Sequence, residues 1–113
     1  MYSIYLISAY NDGILQWKVG LSKHPQKRLK ELKTANPNIK DIHALFEISN
    51  RELAYKTEAI VKKRLNDFKI NGEWFTSYSL NETLFFEYCD ISYGIAKTLI
   101  QIKNNKLQNE NYN

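Results

Sequence analysis

Five short groups in the first 75 residues carry side chains that could do chemistry together. Ser3-Ile4-Tyr5 lies in one apolar run and Lys18-Val19-Gly20 in a second. Arg28 and Glu58 follow, and Gly72-Glu73-Trp74-Phe75 closes the set. A phenol, an ammonium, a guanidinium and a carboxylate on one surface are the parts of a metal-assisted phosphodiesterase. They supply a proton acceptor for water, cations for developing negative charge and a hard oxygen ligand for a divalent ion.

Taken singly, each residue has a second reading. On a helix from Glu52 to Phe68, at about 100° per residue, the apolar stripe is Leu53, Thr57, Ile60, Val61, Leu65 and Phe68. Glu58 falls at its border beside Ala54 and Leu65, either as a metal ligand or as a carboxylate reaching solvent. Arg64 projects nearer the stripe's centre, where it either snorkels or lines the same groove. Tyr5 is a core tyrosine or a base whose phenolate Lys18 would stabilise. The connection between their two strands leaves that register open. Gly20 lets backbone approach a ligand closely or ends a strand. Arg28 is a phosphate clamp or a solubilising charge, and Lys27 and Lys30 face solvent or a phosphate backbone. Trp74 and Phe75 read as core anchors, His24 and His43 as structural, and Cys89 as buried and inert.

The elements that must position these groups follow from periodicity and turn chemistry. Residues 2–9 and 15–21 read as two strands joined through Asn11-Asp12-Gly13, which makes an antiparallel hairpin. Ser22 caps a helix with Pro25 in its first turn, ending near Leu32 or Lys33. Residues 41–48 read as a third strand. Ser49-x-x-Glu52 is a capping box opening a helix to Asp67 or Phe68. Residues 73–76 read as a short strand or extended segment. Ser79-x-x-Glu82 is a second capping box, for a helix whose apolar face includes Leu84, Phe85, Tyr88, Ile91, Ile95, Leu99 and Ile102. Residues 104–113 read as a flexible tail.

Composition bounds the rest. A chain of 113 residues makes one domain with a modest core. No apolar run approaches a membrane span, no basic segment precedes the first apolar run, and the single cysteine cannot form an internal disulfide. These features predict a soluble, cytoplasmic (intracellular) protein. One Cys and two His cannot make a usual structural zinc site. Residues 1–70 hold 13 Lys/Arg against 7 Asp/Glu, and residues 71–113 hold 3 against 5. A basic front with an acidic back suits either a polyanion partner or a lysine-rich solvated surface. The Asn/Lys-rich composition hints at an AT-rich genome, such as that of a phage or mobile element.

Order and spacing of the motifs resemble the GIY-YIG nuclease superfamily. They are closest to its phage and viral branch, in which the second motif reads Lys-Ile/Val-Gly. Residues 18–32 and the pair Thr57-Glu58 with Gly72-Glu73-Trp74-Phe75 carry the resemblance, which spans about residues 2–76. It implies an α+β fold, a compact α/β sandwich with a central three-stranded antiparallel sheet flanked by helices. The nuclease core would occupy 1–78, a further helix 79–103 and the tail 104–113.

The resemblance also implies a DNA endonuclease using Mg²⁺ or Mn²⁺. Tyr5 would be the general base, Glu58 the metal ligand, and Arg28 and Lys18 the charge-stabilising pair, with Lys18 depressing the pKa of Tyr5. Gly20, Lys23, Lys27, Lys30 and Arg64 would meet the substrate. Two features depart from the pattern: Lys18 replaces the second-motif tyrosine, and Lys62 stands where many relatives carry histidine. A catalytically inactive nucleic-acid-binding module and a protein-inhibitor module are the alternatives. DNA is the expected partner, with a homodimer through the last helix or a protein partner supplying specificity.

Overall fold

A computed structural model of the chain describes residues 1–76 and 81–112. Five antiparallel strands and three helices form a sandwich. The elements are β1 (Tyr2–Asn11), β2 (Ile14–Ser22), α1 (Pro25–Ala35), β3 (Ile39–Ile48), α2 (Arg51–Arg64), β4 (Lys69–Asn71), β5 (Trp74–Phe75) and α3 (Glu82–Tyr112). The strand order is β3-β1-β2-β5-β4. The three longer expected strands, β3-β1-β2, form one side of the sheet, and β5, within the short strand or extended segment expected at 73–76, extends it from β2. The three-residue β4 was not expected, being too short for alternation to reveal.

β1 lies between β3 and β2 and is buried from Ser3 to Ala9. Ile4 and Leu6 face one way, into a core with Val19, Ala54, Val61, Leu65, Phe85 and Cys89 under α2 and α3. Tyr5, Ile7 and Ala9 face the other way, against Leu29 of α1. Strand alternation thus distributes one apolar run between two cores.

The β1–β2 register follows from a two-residue turn. Asn11 pairs with Ile14, and Asp12 and Gly13 between them have φ of 54° and 75°. Two central residues at positive φ match the strand twist of a type I′ hairpin, which favours Asp-Gly. The register left open by the sequence reading is therefore fixed: Tyr5 lies opposite Gly20, and Ile7 opposite Lys18.

Several helix boundaries differ from expectation. His24, not Ser22, is the N-cap of α1, and Ser22 Oγ instead accepts from the His24 N–H at 2.9 Å. α1 continues to Ala35, where Pro37 forces Asn36 into extended backbone. Asn50, not Ser49, caps α2, its Oδ1 accepting from the Leu53 N–H at 2.9 Å. That shift puts Glu52 outside the box position. α2 ends at Arg64, and a 3₁₀ turn, Asn66–Phe68, completes the segment. Asn81 Oδ1 accepts from the Leu84 N–H at 2.9 Å at the start of α3. The Ser79 of the second expected box lies outside the described residues.

The largest difference is α3. Its buried face is Phe85, Cys89, Ser92 and Ala96, while Ile91, Leu99 and Ile102 are exposed. The expected tail is also helical, because nothing after Gly94 breaks a helix and Lys, Leu and Gln favour one. α2 begins beside this part of α3, with Glu52 3.4 Å from Lys103. Beyond that level α3 projects, and residues 101–109 are exposed on every side.

His43 is structural, as expected: its Nε2 lies 2.6 Å from the Ser8 hydroxyl and its ring meets Trp17 edge-on. Among the described residues, no helix is long and apolar enough to cross a membrane. Cys89 is fully buried, and burial pushes its thiol up to about 12. It should therefore resist Ellman's reagent in the native protein and react with one equivalent after denaturation. Rapid native reaction would show that α3 is not docked on the sheet.

Candidate active site

Five elements bring the singled-out residues together at the β2 side of the sheet. Tyr5 comes from β1, Lys18 and Gly20 from β2, Arg28 from α1, Glu58 and Lys62 from α2, and Glu73 from the turn between β4 and β5. β5 pairs with β2 only at Trp17 and Lys18, so Gly20 lies beyond the last paired position.

Gly20 makes the centre of this arrangement possible. The Tyr5 ring and hydroxyl lie across it, and a Cβ at that position would overlap both. The space over Gly20 is filled by the protein's own phenol, so Gly20 seats Tyr5 instead of forming an open floor for substrate. Tyr5 is nearly fully buried by this packing.

Burial raises the Tyr5 phenol above its ordinary value of 10. The Arg28 guanidinium beside it acts in the opposite direction, and the charges of Glu58 and Glu73 add to the rise. The expected depression by Lys18 is not what the structure shows, because Lys18 is committed to Glu73. Their side chains form a short hydrogen-bonded ion pair, and Lys18 also sits 5.8 Å from the Trp74 ring centre. Arg28 is the cation that works on Tyr5.

Glu73 owes its place to backbone geometry. Asn71 pairs with Trp74 across a two-residue turn, and Gly72 supplies the φ of 51° it needs. Lys18 holds the Glu73 carboxyl below its ordinary range, with Lys62 and Arg28 assisting.

Glu58 is the carboxylate with the least support. Its side chain is 17% exposed, and burial raises its pKa more than Lys62 lowers it. The Lys62 ammonium is 3.6 Å away, one helical turn on, and lies 3.9 Å from Glu73 as well. Charges therefore alternate along Lys18, Glu73, Lys62 and Glu58. Among the described residues no three His, Cys, Asp or Glu converge. This is a site with one partly buried carboxylate, Glu58, and a second, exposed one, Glu73, held nearby by Lys18.

Some expected contributors stand apart. Lys27 and Lys30 are exposed on α1, and Lys23 is exposed just before it. Arg64 is exposed at the end of α2 and does not join the cluster. The buried face of α2 is Ala54, Thr57 and Val61, with Ile60 only half-buried and Phe68 outside the helix. Its centre is thereby turned toward Glu58 and away from Arg64. The sequence reading treated Lys62 only as a missing histidine. The spacing of four residues between Glu58 and Lys62 was the signal for their pairing.

A family model described as the T5orf172 domain matches residues 2–102, which takes in most of α3 as well as the whole cluster. Searches of curated proteins and of solved structures gave no match. With nearly the whole chain matched, the protein belongs to the T5orf172 domain family, a relative of the GIY-YIG nucleases.

Proposed function

We propose that this chain is a small metal-dependent DNA endonuclease of the Lys-Val-Gly branch, hydrolysing phosphodiester bonds at the Tyr5–Glu58 cluster. The observation that carries this reading is the convergence of Tyr5, Lys18, Arg28 and Glu58 from four separate elements around Gly20. Family membership supports the reaction class.

The residues present fit a hard divalent ion. Glu58 is a partly buried carboxylate whose burial penalty outweighs the help of its flexible lysine partner. Such a group gains most from a nearby cation. Mg²⁺ or Mn²⁺ is commonly held by one or two carboxylates, with water and substrate phosphate completing the shell. Glu58 would hold the ion, and when bound it supplies Lewis acidity to the phosphate and the leaving oxygen.

The protein's own groups do the rest. Once its own proton has passed to solvent, Tyr5 Oη accepts the proton of the attacking water as the phenolate. Arg28 stabilises the phenolate and, by exchanging its 3.1 Å contact with Glu31 for phosphate, offsets charge developing in the transition state. In the free protein the phenol keeps its proton at neutral pH, because burial outweighs Arg28. Neutralising Glu58 removes one of the charges that hold it up. Lys18 keeps Glu73 ionised and in place.

Supercoiled plasmid tests the reading. Wild-type protein with Mg²⁺ should nick or linearise it, and EDTA should stop the reaction. Glu58→Ala should leave only background cleavage, and Tyr5→Phe should lose about 10²–10⁴-fold, the worth of a general base. Full activity in purified, folded Glu58→Ala would overturn the proposal. Absence of cleavage by wild type with metal present would favour a binding or inhibitory role.

Gly20→Ala tests the seat of the phenol. It should cost about 1–3 kcal/mol of stability by overpacking and cut cleavage about 100-fold by misplacing Tyr5. Wild-type turnover in that variant would show that Tyr5 need not lie where it does.

A further inference from the structure

We infer that a second patch, beside the Tyr5–Glu58 cluster, binds an unpaired stretch of DNA next to the bond to be cut. Lys23 and Arg51 would take its phosphates and Tyr55 would stack on its base. The choice of polyanion rests on the nuclease reading above. Tyr2, Leu21, Ser22, Lys23, Arg51 and Tyr55 line one surface recess, with no carboxylate among them. The Lys23 ammonium stands 5.0 Å over the Tyr2 ring and the Arg51 guanidinium 5.5 Å over the Tyr55 ring. The two rings meet edge-on at 6.3 Å. Tyr55 is 52% exposed, so its ring face is open to a ligand.

Charge pairing separates this patch from the cluster. Lys18, Lys62 and Arg28 each have a carboxylate partner. Among the described residues Lys23 and Arg51 have none, so binding a phosphate there breaks no ion pair. Basic groups interleaved with aromatic faces are how proteins hold single strands: the cations follow the backbone and the rings stack on bases. The position is also continuous with the cluster. At about 100° per residue, Arg51, Tyr55, Glu58 and Lys62 share one stripe of α2, four, three and four residues apart. Leu21 to Lys23 follow directly on Gly20. A strand lying along that stripe passes from the patch to Glu58.

Fluorescence anisotropy in EDTA tests the inference, with a labelled single strand and its blunt duplex as probes. Replacing Lys23 and Arg51 by Gln should weaken binding and make the single-strand salt slope shallower by about 1.4, roughly 0.7 per lost phosphate contact. Tyr55→Ala should weaken single-strand binding at least about fivefold and leave the duplex nearly unchanged, while Tyr55→Phe should retain it. Lys97→Gln, which removes a cation over Tyr93 on α3, should do nothing. Unchanged binding in the Lys23/Arg51 variant, or in Tyr55→Ala, would overturn the inference. Cleavage is read separately. Patch-dependent binding by a protein that cuts nothing keeps the patch and removes the nuclease reading. Normal cutting with patch-independent binding does the reverse.

A different observation assigns α3 as the surface on which two copies of the chain pair, antiparallel. Ile91, Ile95, Thr98 and Ile102 recur at spacings of four, three and four, the seam of a helix pair, and Leu84 and Tyr88 continue the row where it packs against the chain's own core. Ile91 and Ile102 are 49% and 58% exposed. The charges on α3 up to Asn109 are segregated: Glu82, Glu87 and Asp90 lie in its first part, and Lys97, Lys103 and Lys106 in its second. Antiparallel pairing sets each acidic part against a basic one, whereas parallel pairing opposes like charges. Sedimentation velocity should show a dimer, converted to a folded monomer by Ile91→Glu with Ile102→Glu. A wild-type monomer, or a double variant that stays dimeric, would overturn the assignment. So would a disulfide-linked dimer of Leu107→Cys, which only parallel helices can form.

Discussion

The placement of Tyr5 opposite Gly20 is the constraint on which the rest of the site depends. It is set seven residues away along each strand, by the Asp12-Gly13 turn. Two consecutive positive φ angles close the hairpin with no spare residue, and nine paired positions then carry the register to the far end of the strands. A slip of one residue would turn Tyr5 toward α2 and α3 and put Ile4 in its place. With the register fixed, only the residue across from Tyr5 can decide where the phenol goes. A glycine there lets the ring fold over the strand toward the edge that β5 leaves unpaired. Arg28, Glu58 and Glu73 then meet the phenol from α1, α2 and a turn.

Electrostatics divide that cluster into a settled part and an unsettled one. Lys18 and Glu73 satisfy each other, and the Glu73 carboxyl is held low as a result. Tyr5 and Glu58 are both pushed up by burial, against cations that only partly compensate. Two groups held away from their charged forms beside one another, with cations in reach, are the pattern that the proposed reaction would need. A structural ion-pair network would leave the buried carboxylate better paired than a lysine at 3.6 Å does.

How much of this was legible in the sequence depended on whether the signal was local. The order of the main elements and the identity of Tyr5, Lys18, Arg28 and Glu58 as a set were readable from motif spacing. The hairpin register was readable too, since Asp-Gly between apolar runs specifies a two-residue turn. It was missed because the turn was taken to be longer. The seating of Tyr5 over Gly20 required two strands in register, which no single segment encodes. β4 is below the length at which periodicity shows, whereas β5 falls in the short strand or extended segment read at 73–76. On α3 the error was one of phase. Two apolar faces share the helix, and the sequence reading merged them, so exposed Ile91, Leu99 and Ile102 were placed on one face with buried Phe85. The caps erred by one or two residues, because Ser49 and Asn50 are both good N-caps and only the end of β3 chooses between them.

Paramagnetic broadening of backbone amide signals by Mn²⁺ would test the central claim most directly, because it locates the ion without relying on turnover. If Glu58 is the ligand, broadening should centre on α2 around Glu58 and reach Tyr5, Gly20 and Glu73. It should spare α3 and be lost in Glu58→Gln. Broadening centred elsewhere, for example on the acidic first turns of α3, or left unchanged by that substitution, would contradict the account.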